Sequence, residues 1–179
     1  MARLIKRIPP PDDPKDANVD WDLLEEFMGL KYPQSFKDLI SVYGDVRWFD
    51  HARPYYHTPT SPVEACNAVK DICAHLYSIQ KLGVRDTSFK QLELPFYPQK
   101  GGLFPFMIDY SGSDYCWITK SKYPEKWPVY CWFSGSGPIV ENLSICEMFV
   151  EWLERKPRMM EIWGDVNDLP EERLVLLPA

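Results

Sequence analysis

Residues 101–154 decide the reading of this chain. GGLFPFMIDYSGSDYCWIT fills 101–119, PVYCWF fills 128–133, and GPIVENLSICEMFVEWLE closes the stretch at 137–154. Aromatic-rich, alternating runs at 103–109, 114–119, 129–133 and 139–141 predict short strands, because aromatic and β-branched side chains pack well on a pleated surface. Pro105 breaks the first strand early, since it has no N–H for a ladder. Tyr110-Ser111-Gly112-Ser113 and Ser134-Gly135-Ser136-Gly137 have turn composition. Ser144 and Glu147 stand at capping-box spacing. Ile145, Met148, Phe149, Trp152 and Leu153 then recur on one helical face until Pro157.

Upstream, Asp20 suits the N-cap of a helix over 21–28 that stops at Gly29. Pro33 opens a second helix carrying Phe36, Leu39, Ile40 and Tyr43, and Gly44 ends it. Residues 46–49 read as a strand, and 50–60 as a Pro-interrupted loop holding His51, Tyr55, Tyr56 and His57. Ser61 and Glu64 repeat the capping-box spacing at the head of a long helix over 62–82. Val63, Cys66, Val69, Ile72, Cys73, Leu76 and Ile79 are expected to line its inner face. In 84–102, Leu92, Leu94 and Phe96 alternate, but Pro95 and Pro98 demote the segment to an edge strand or loop.

Residues 1–18, with Pro9, Pro10, Pro11 and Pro14, are expected to form an extended arm. Residues 158–179 carry Met159, Met160, Ile162, Trp163 and LVLLP, too apolar for a free tail, so they are expected to dock on the domain at 19–157. Helices, a meander of strands and a closing helix give an α+β class: one domain, with a mostly antiparallel mixed sheet flanked by helices.

The chain has 179 residues, 45% hydrophobic and 15% aromatic, which places it with globular domains rather than disordered chains. Its net charge is −6, and its Lys and Arg are scattered. Gripping phosphates requires a basic face, so direct nucleic-acid binding is not expected. A basic protein partner suits the long-range field better. Cys66, Cys73, Cys116, Cys131 and Cys146 form no CxxC pair, and buried thiols in a reducing cytosol are the expectation. The sequence has no run of ~18 apolar residues to span a bilayer and no apolar stretch of signal-peptide type. A cytoplasmic location is expected.

Few residues could carry chemistry. Asp109 and Asp114 bracket the first turn of the opening stretch. Close carboxylates can perform acid–base work or hold a cation. They can also meet a basic partner, or simply satisfy turn backbone, the reading placed first. His51 and His57 lie near Asp50 without the further ligands a metal needs. The Ser-Gly-Ser-Gly run lacks both the GxSxG spacing and a phosphate-loop Lys. No cofactor and no metal are expected. Trp48, Tyr55, Tyr56, Trp127 and Trp132 fall in or beside loops, where aromatics serve either packing or contact.

The order of pieces resembles the SUKH superfamily. They are Tyr32-Pro33-Gln34-Ser35-Phe36-Lys37-Asp38-Leu39-Ile40-Ser41-Val42-Tyr43-Gly44, the strand–acidic turn–strand at 103–117, Val129-Tyr130 with Trp132, and the helix at 144–153. That group includes the yeast cell-wall-assembly regulator domain and many bacterial immunity proteins. Ser113 separates Gly112 from Asp114 where the family usually shows adjacent Gly-Asp. Ile145 and Cys146 stand where it prefers an aromatic, and the helix at 62–82 exceeds a minimal member. The resemblance implies a non-enzymatic α+β module, an antidote that binds and neutralises a toxin of nuclease or deaminase type. The alternatives are a regulatory scaffold of the cell-wall-assembly type and a small hydrolase using a cleft His or Cys. On the antidote reading the expected contacts are Asp109, Tyr110, Asp114 and Glu141 at the strand ends, with Trp48 and Asp50 beside them.

Overall fold

The computed structural model describes residues 1–49, 52–85, 94–109, 112–132, 138–168 and 177–178. Its elements are α1 (Ala2–Arg7), α2 (Trp21–Met28), α3 (Gln34–Tyr43), β1 (Val46–Arg47), β2 (Ala52–Pro54), α4 (Pro62–Arg85), β3 (Leu103–Asp109), β4 (Asp114–Ile118), β5 (Val129–Trp132), β6 (Ile139–Glu141), α5 (Ile145–Leu153), α6 (Pro157–Trp163) and β7 (Leu177–Pro178). β2 to β6 form one antiparallel sheet in the order β2-β3-β4-β5-β6. β1 pairs separately with β7. The class is α+β.

Side chains alternate across a strand, and both faces of this sheet are covered. Phe104, Phe106, Tyr115, Trp117, Val129 and Cys131 join the main core with Phe36, Phe149 and Trp152. Leu103, Cys116, Ile118 and Tyr130 form a second cluster with Ile79 of α4. Covering both faces explains why β3 is nearly all apolar. Pro105 does not break β3, contrary to expectation. The ladder slips between Pro105 and Met107, and that irregularity absorbs the missing donor.

Caps set the helix ends. The Asp20 carboxylate accepts the Leu23 N–H at 3.0 Å. Ser144 and Glu147 form the complete reciprocal box on α5. At α4 the box is displaced: Ser61 Oγ accepts the Glu64 N–H, while the Glu64 carboxylate reaches back to Thr60 N–H and Oγ1. Gly44 ends α3 with φ 67°. A Cβ there would stand 2.0 Å from the Lys15 carbonyl, the same oxygen that accepts the Asp45 N–H at 2.7 Å. Only glycine fits both the backbone angle and the contact.

Three further sequence expectations about the elements need correction. Residues 1–18 are not wholly extended: Ala2–Arg7 is helical, and Leu4 and Ile8 are buried in the core. The prolines begin only at Pro9, so nothing bars a helix before them. Val63, Cys66 and Cys73 face outward on α4, Val63 being 71% exposed. The inner stripe is Ala65, Ala68, Ile72, Leu76 and Ile79, where small alanines let α4 lie close against α2. Residues 52–54, read as loop, form β2 on the edge of the sheet. At the other end of the chain, Met159 and Ile162 of α6 are buried, and the Trp152 indole N–H donates to the Gly164 carbonyl at 2.7 Å.

One buried carboxylate organises the joint between α2 and α3. The Glu25 side chain is 1% exposed, pairs with Lys37 and with Lys31 at 2.7 Å, and accepts the Tyr32 N–H at 2.9 Å. Burial alone would raise its pKa. The bonds from Lys31, Lys37 and Tyr32 outweigh burial and hold it below 4.5. This contribution is therefore complete above the unfolded value and lost as pH falls through the lower folded value. Removing one partner of a buried pair leaves the others unanswered. Glu25→Ala is expected to cost about 3 kcal/mol in denaturant unfolding and to flatten the acid limb of the stability curve. Gly44→Ala is expected to cost roughly 3 kcal/mol in the same measurement, from the left-handed backbone and the Lys15 clash.

Candidate partner-binding surface

The hairpin joining β3 and β4 brings Asp109 and Asp114 to one end of the sheet but not to one site. Ile108 stands opposite Asp114 in the register, so those two share a face and Asp109 takes the other. Asp109 is buried. Its carboxylate accepts the Ser113 N–H at 2.9 Å and the Tyr115 hydroxyl at 3.2 Å, and its own N–H donates to the Ser113 carbonyl. The Trp163 indole N–H donates to the Tyr115 oxygen at 2.7 Å, which ties α6 to this turn. Burial, and then the Asp109 charge, push the Tyr115 hydroxyl far above its ordinary range. On the opposite face, Asp114 meets His75 Nε2 at 2.7 Å and ties α4 to β4. Carboxylates on opposite faces cannot work as an acid–base pair.

The other residues singled out from sequence serve the fold as well. Trp48 is fully buried, stacked on Phe149 at 4.5 Å and set edge-on to Tyr43. Glu141 takes Arg158 Nε at 2.5 Å, and Arg158 also reaches Glu161. The Trp127 indole N–H donates to the Ser121 carbonyl at 2.6 Å. Tyr110, Asp50, His51 and the Ser-Gly-Ser-Gly run lie outside the described residues, as does the Trp132 side chain. Cys116, Cys131 and Cys146 are buried, whereas Cys66 and Cys73 are exposed, against the expectation for the set. Burial pushes the Cys146 thiol up to about 12 and raises Cys116 and Cys131 as well. Those thiols stay protonated and make poor nucleophiles. Among the described residues no His, Cys, Asp and Glu group is arranged to hold a metal ion. No described helix is long and apolar enough to cross a membrane.

Exposed acid gathers elsewhere, along α3. A cleft of about 510 Å³ is lined by Asp20, Trp21, Asp22, Lys37 and Asp38. A second, of about 330 Å³, is lined by Met1, Ser35, Asp38, Glu125, Ser144, Cys146 and Glu147, so that three carboxylates there stand with the Met1 residue. Asp38 belongs to both. Several of these acids also cap: Glu125 accepts the Ser35 N–H at 2.8 Å, and Glu147 answers Ser144. A carboxylate accepting one or two bonds keeps lone pairs for a cationic partner. The sequence signal for Asp20 and Glu147 was their capping position; Glu125 had none, because it reaches α3 from 90 residues away.

Asp109→Ala is expected to destabilise the protein by about 2 kcal/mol, since it strips buried donors of their acceptor. Asp38→Ala, on the surface, is expected to change stability by less than about 0.5 kcal/mol. Urea unfolding of both variants checks the contrast.

A family model described as SMI1 / KNR4 family (SUKH-1) matches residues 17–155. No curated protein and no solved structure matches the chain. The matched span runs from α2 through the five-stranded sheet to the end of α5. The family is generally non-catalytic and consists, at its own level, of protein–protein interaction modules. By that match, and by its element order, the chain belongs to the SMI1 / KNR4 family (SUKH-1).

Proposed function

We propose that this protein is an immunity protein. It binds a cognate bacterial toxin domain, of nuclease or deaminase type, and holds it inactive without chemistry of its own. The observation that carries this reading is the pair of acid-lined clefts sharing Asp38, on a chain of net charge −6. An enzyme that acts on nucleic acid needs a basic groove for the phosphates. Carboxylates set around clefts are complementary to the Lys and Arg of such a groove. Complementary charge speeds encounter and fixes register, and a seated antidote keeps the substrate out. Asp22 and Asp38 suit contact best, because both are exposed and neither caps a helix.

Co-expression with the product of the adjacent gene is expected to restore growth that the product alone arrests. In the purified complex, Asp22→Lys with Asp38→Lys is expected to slow association about tenfold at low salt. The difference is expected to shrink as salt screens the charges. An association rate unmoved by the double reversal removes the clefts from the interface. A pull-down returning many weak partners in place of one favours a regulatory scaffold instead.

A further inference from the structure

Residues 55–60 lead from β2 into α4 and carry a cluster that neither the capping nor the clefts use. The Tyr55 N–H donates to the Phe106 carbonyl at 2.8 Å. The Tyr55 ring neighbours two imidazoles, 5.8 Å from His57 and 4.9 Å from His75. The histidines differ in what answers them. His75 Nε2 has the Asp114 carboxylate at 2.7 Å. His57 Nε2 is buried and has no hydrogen-bond partner. The charged groups facing this segment are Asp71 and His75 from α4 and Asp114 from β4, with Asp16, Asp45 and Arg53 around Tyr56 and Glu64 at Thr60; of these, Asp71 is the one that acts on His57.

A neutral imidazole with one unanswered nitrogen is tolerated at modest cost. A second proton puts a full charge on a half-buried ring and an unanswered N–H at the buried Nε2, which costs more. Asp114 answers His75 Nε2, and no carboxylate lies within hydrogen-bond reach of His57 Nε2. We propose that His57 is an acid-sensitive latch: neutral, it holds residues 55–60 against the fold, and protonated, it leaves its half-buried site and frees that segment with the first turn of α4. The first turn follows because its cap is built from Thr60 and Ser61, which move with the segment.

Burial holds the His57 imidazole below its ordinary value of 6.5, against a smaller upward pull from Asp71. The unfolded or released segment therefore binds a proton more readily than the closed one. The latch contribution is complete above the released value and falls as pH drops from there toward the closed value.

Amide exchange by NMR on the full chain at pH 7.5 and 5.5, read as protection factors, tests the latch. Residues 58–66 are expected to lose protection about tenfold at pH 5.5, with β4 amides unchanged. His57→Phe is expected to abolish the pH response, and His75→Gln to keep it. An equal loss in His57→Phe, or no loss in the unsubstituted protein, overturns the proposal. Should His57→Phe fail to fold, the His57 imidazole titration in the unsubstituted protein decides. A midpoint below 6.5 that coincides with shift changes at Ala65 supports the latch. A midpoint at or above 6.5, or one without those changes, overturns it.

Discussion

The Trp117 indole is the contact on which the rest of the architecture depends. It stacks on Phe106 at 4.2 Å, takes the edges of Phe36 at 5.1 Å and Tyr32 at 5.8 Å, and neighbours Phe104 and Trp127. Offset and edge-on aromatic contacts add to the large area such rings bury. Through Tyr32 and Phe36 this one side chain seats both the α2–α3 turn and α3 itself on the sheet. Glu25 then braces that turn from behind, with a carboxylate that Lys31 and Lys37 keep ionised although it is buried. The hydrophobic contact seats the turn, and the ion pairs with the Tyr32 N–H answer the carboxylate buried behind it.

Polar bonds do the corresponding work at the chain ends. Trp163 donates to Tyr115, which donates to Asp109, which holds Ser113. The helix α6 and a hairpin turn thereby share one hydrogen-bonded network. At the other end, Tyr43 donates to the Ile8 carbonyl at 2.7 Å and Lys15 lies across Gly44. The first residues are thus fastened to the end of α3 rather than trailing from it.

Much of this was legible from local pattern. The strands at 103–141, the box at Ser144, the cap at Asp20 and the stop at Gly44 all follow from residue type and spacing. What was not legible depends on partners distant in sequence. Nothing near Asp114 announces His75, and nothing near Glu125 announces the head of α3. The face of α4 was misread because its stripe uses alanines, which carry little hydrophobic signal, while Cys66 and Cys73 carry more and face water. Asp109 and Asp114 are close in sequence, and only the register places them on opposite sides of the sheet. For the candidate surface, composition supplied the sign of the charge, and the fold supplied its location along α3.

The cysteines divide sharply by environment. Cys66 and Cys73 stand on the outer side of α4, about 10 Å apart along its axis from the rise per residue, while Cys116, Cys131 and Cys146 are sealed in the interior. A thiol reagent therefore meets two classes of site in the native protein. The outer pair is open to it directly, and the inner three become available only when the sheet or α5 opens. The time course of their modification is a record of those openings, written into the chain without any label being introduced.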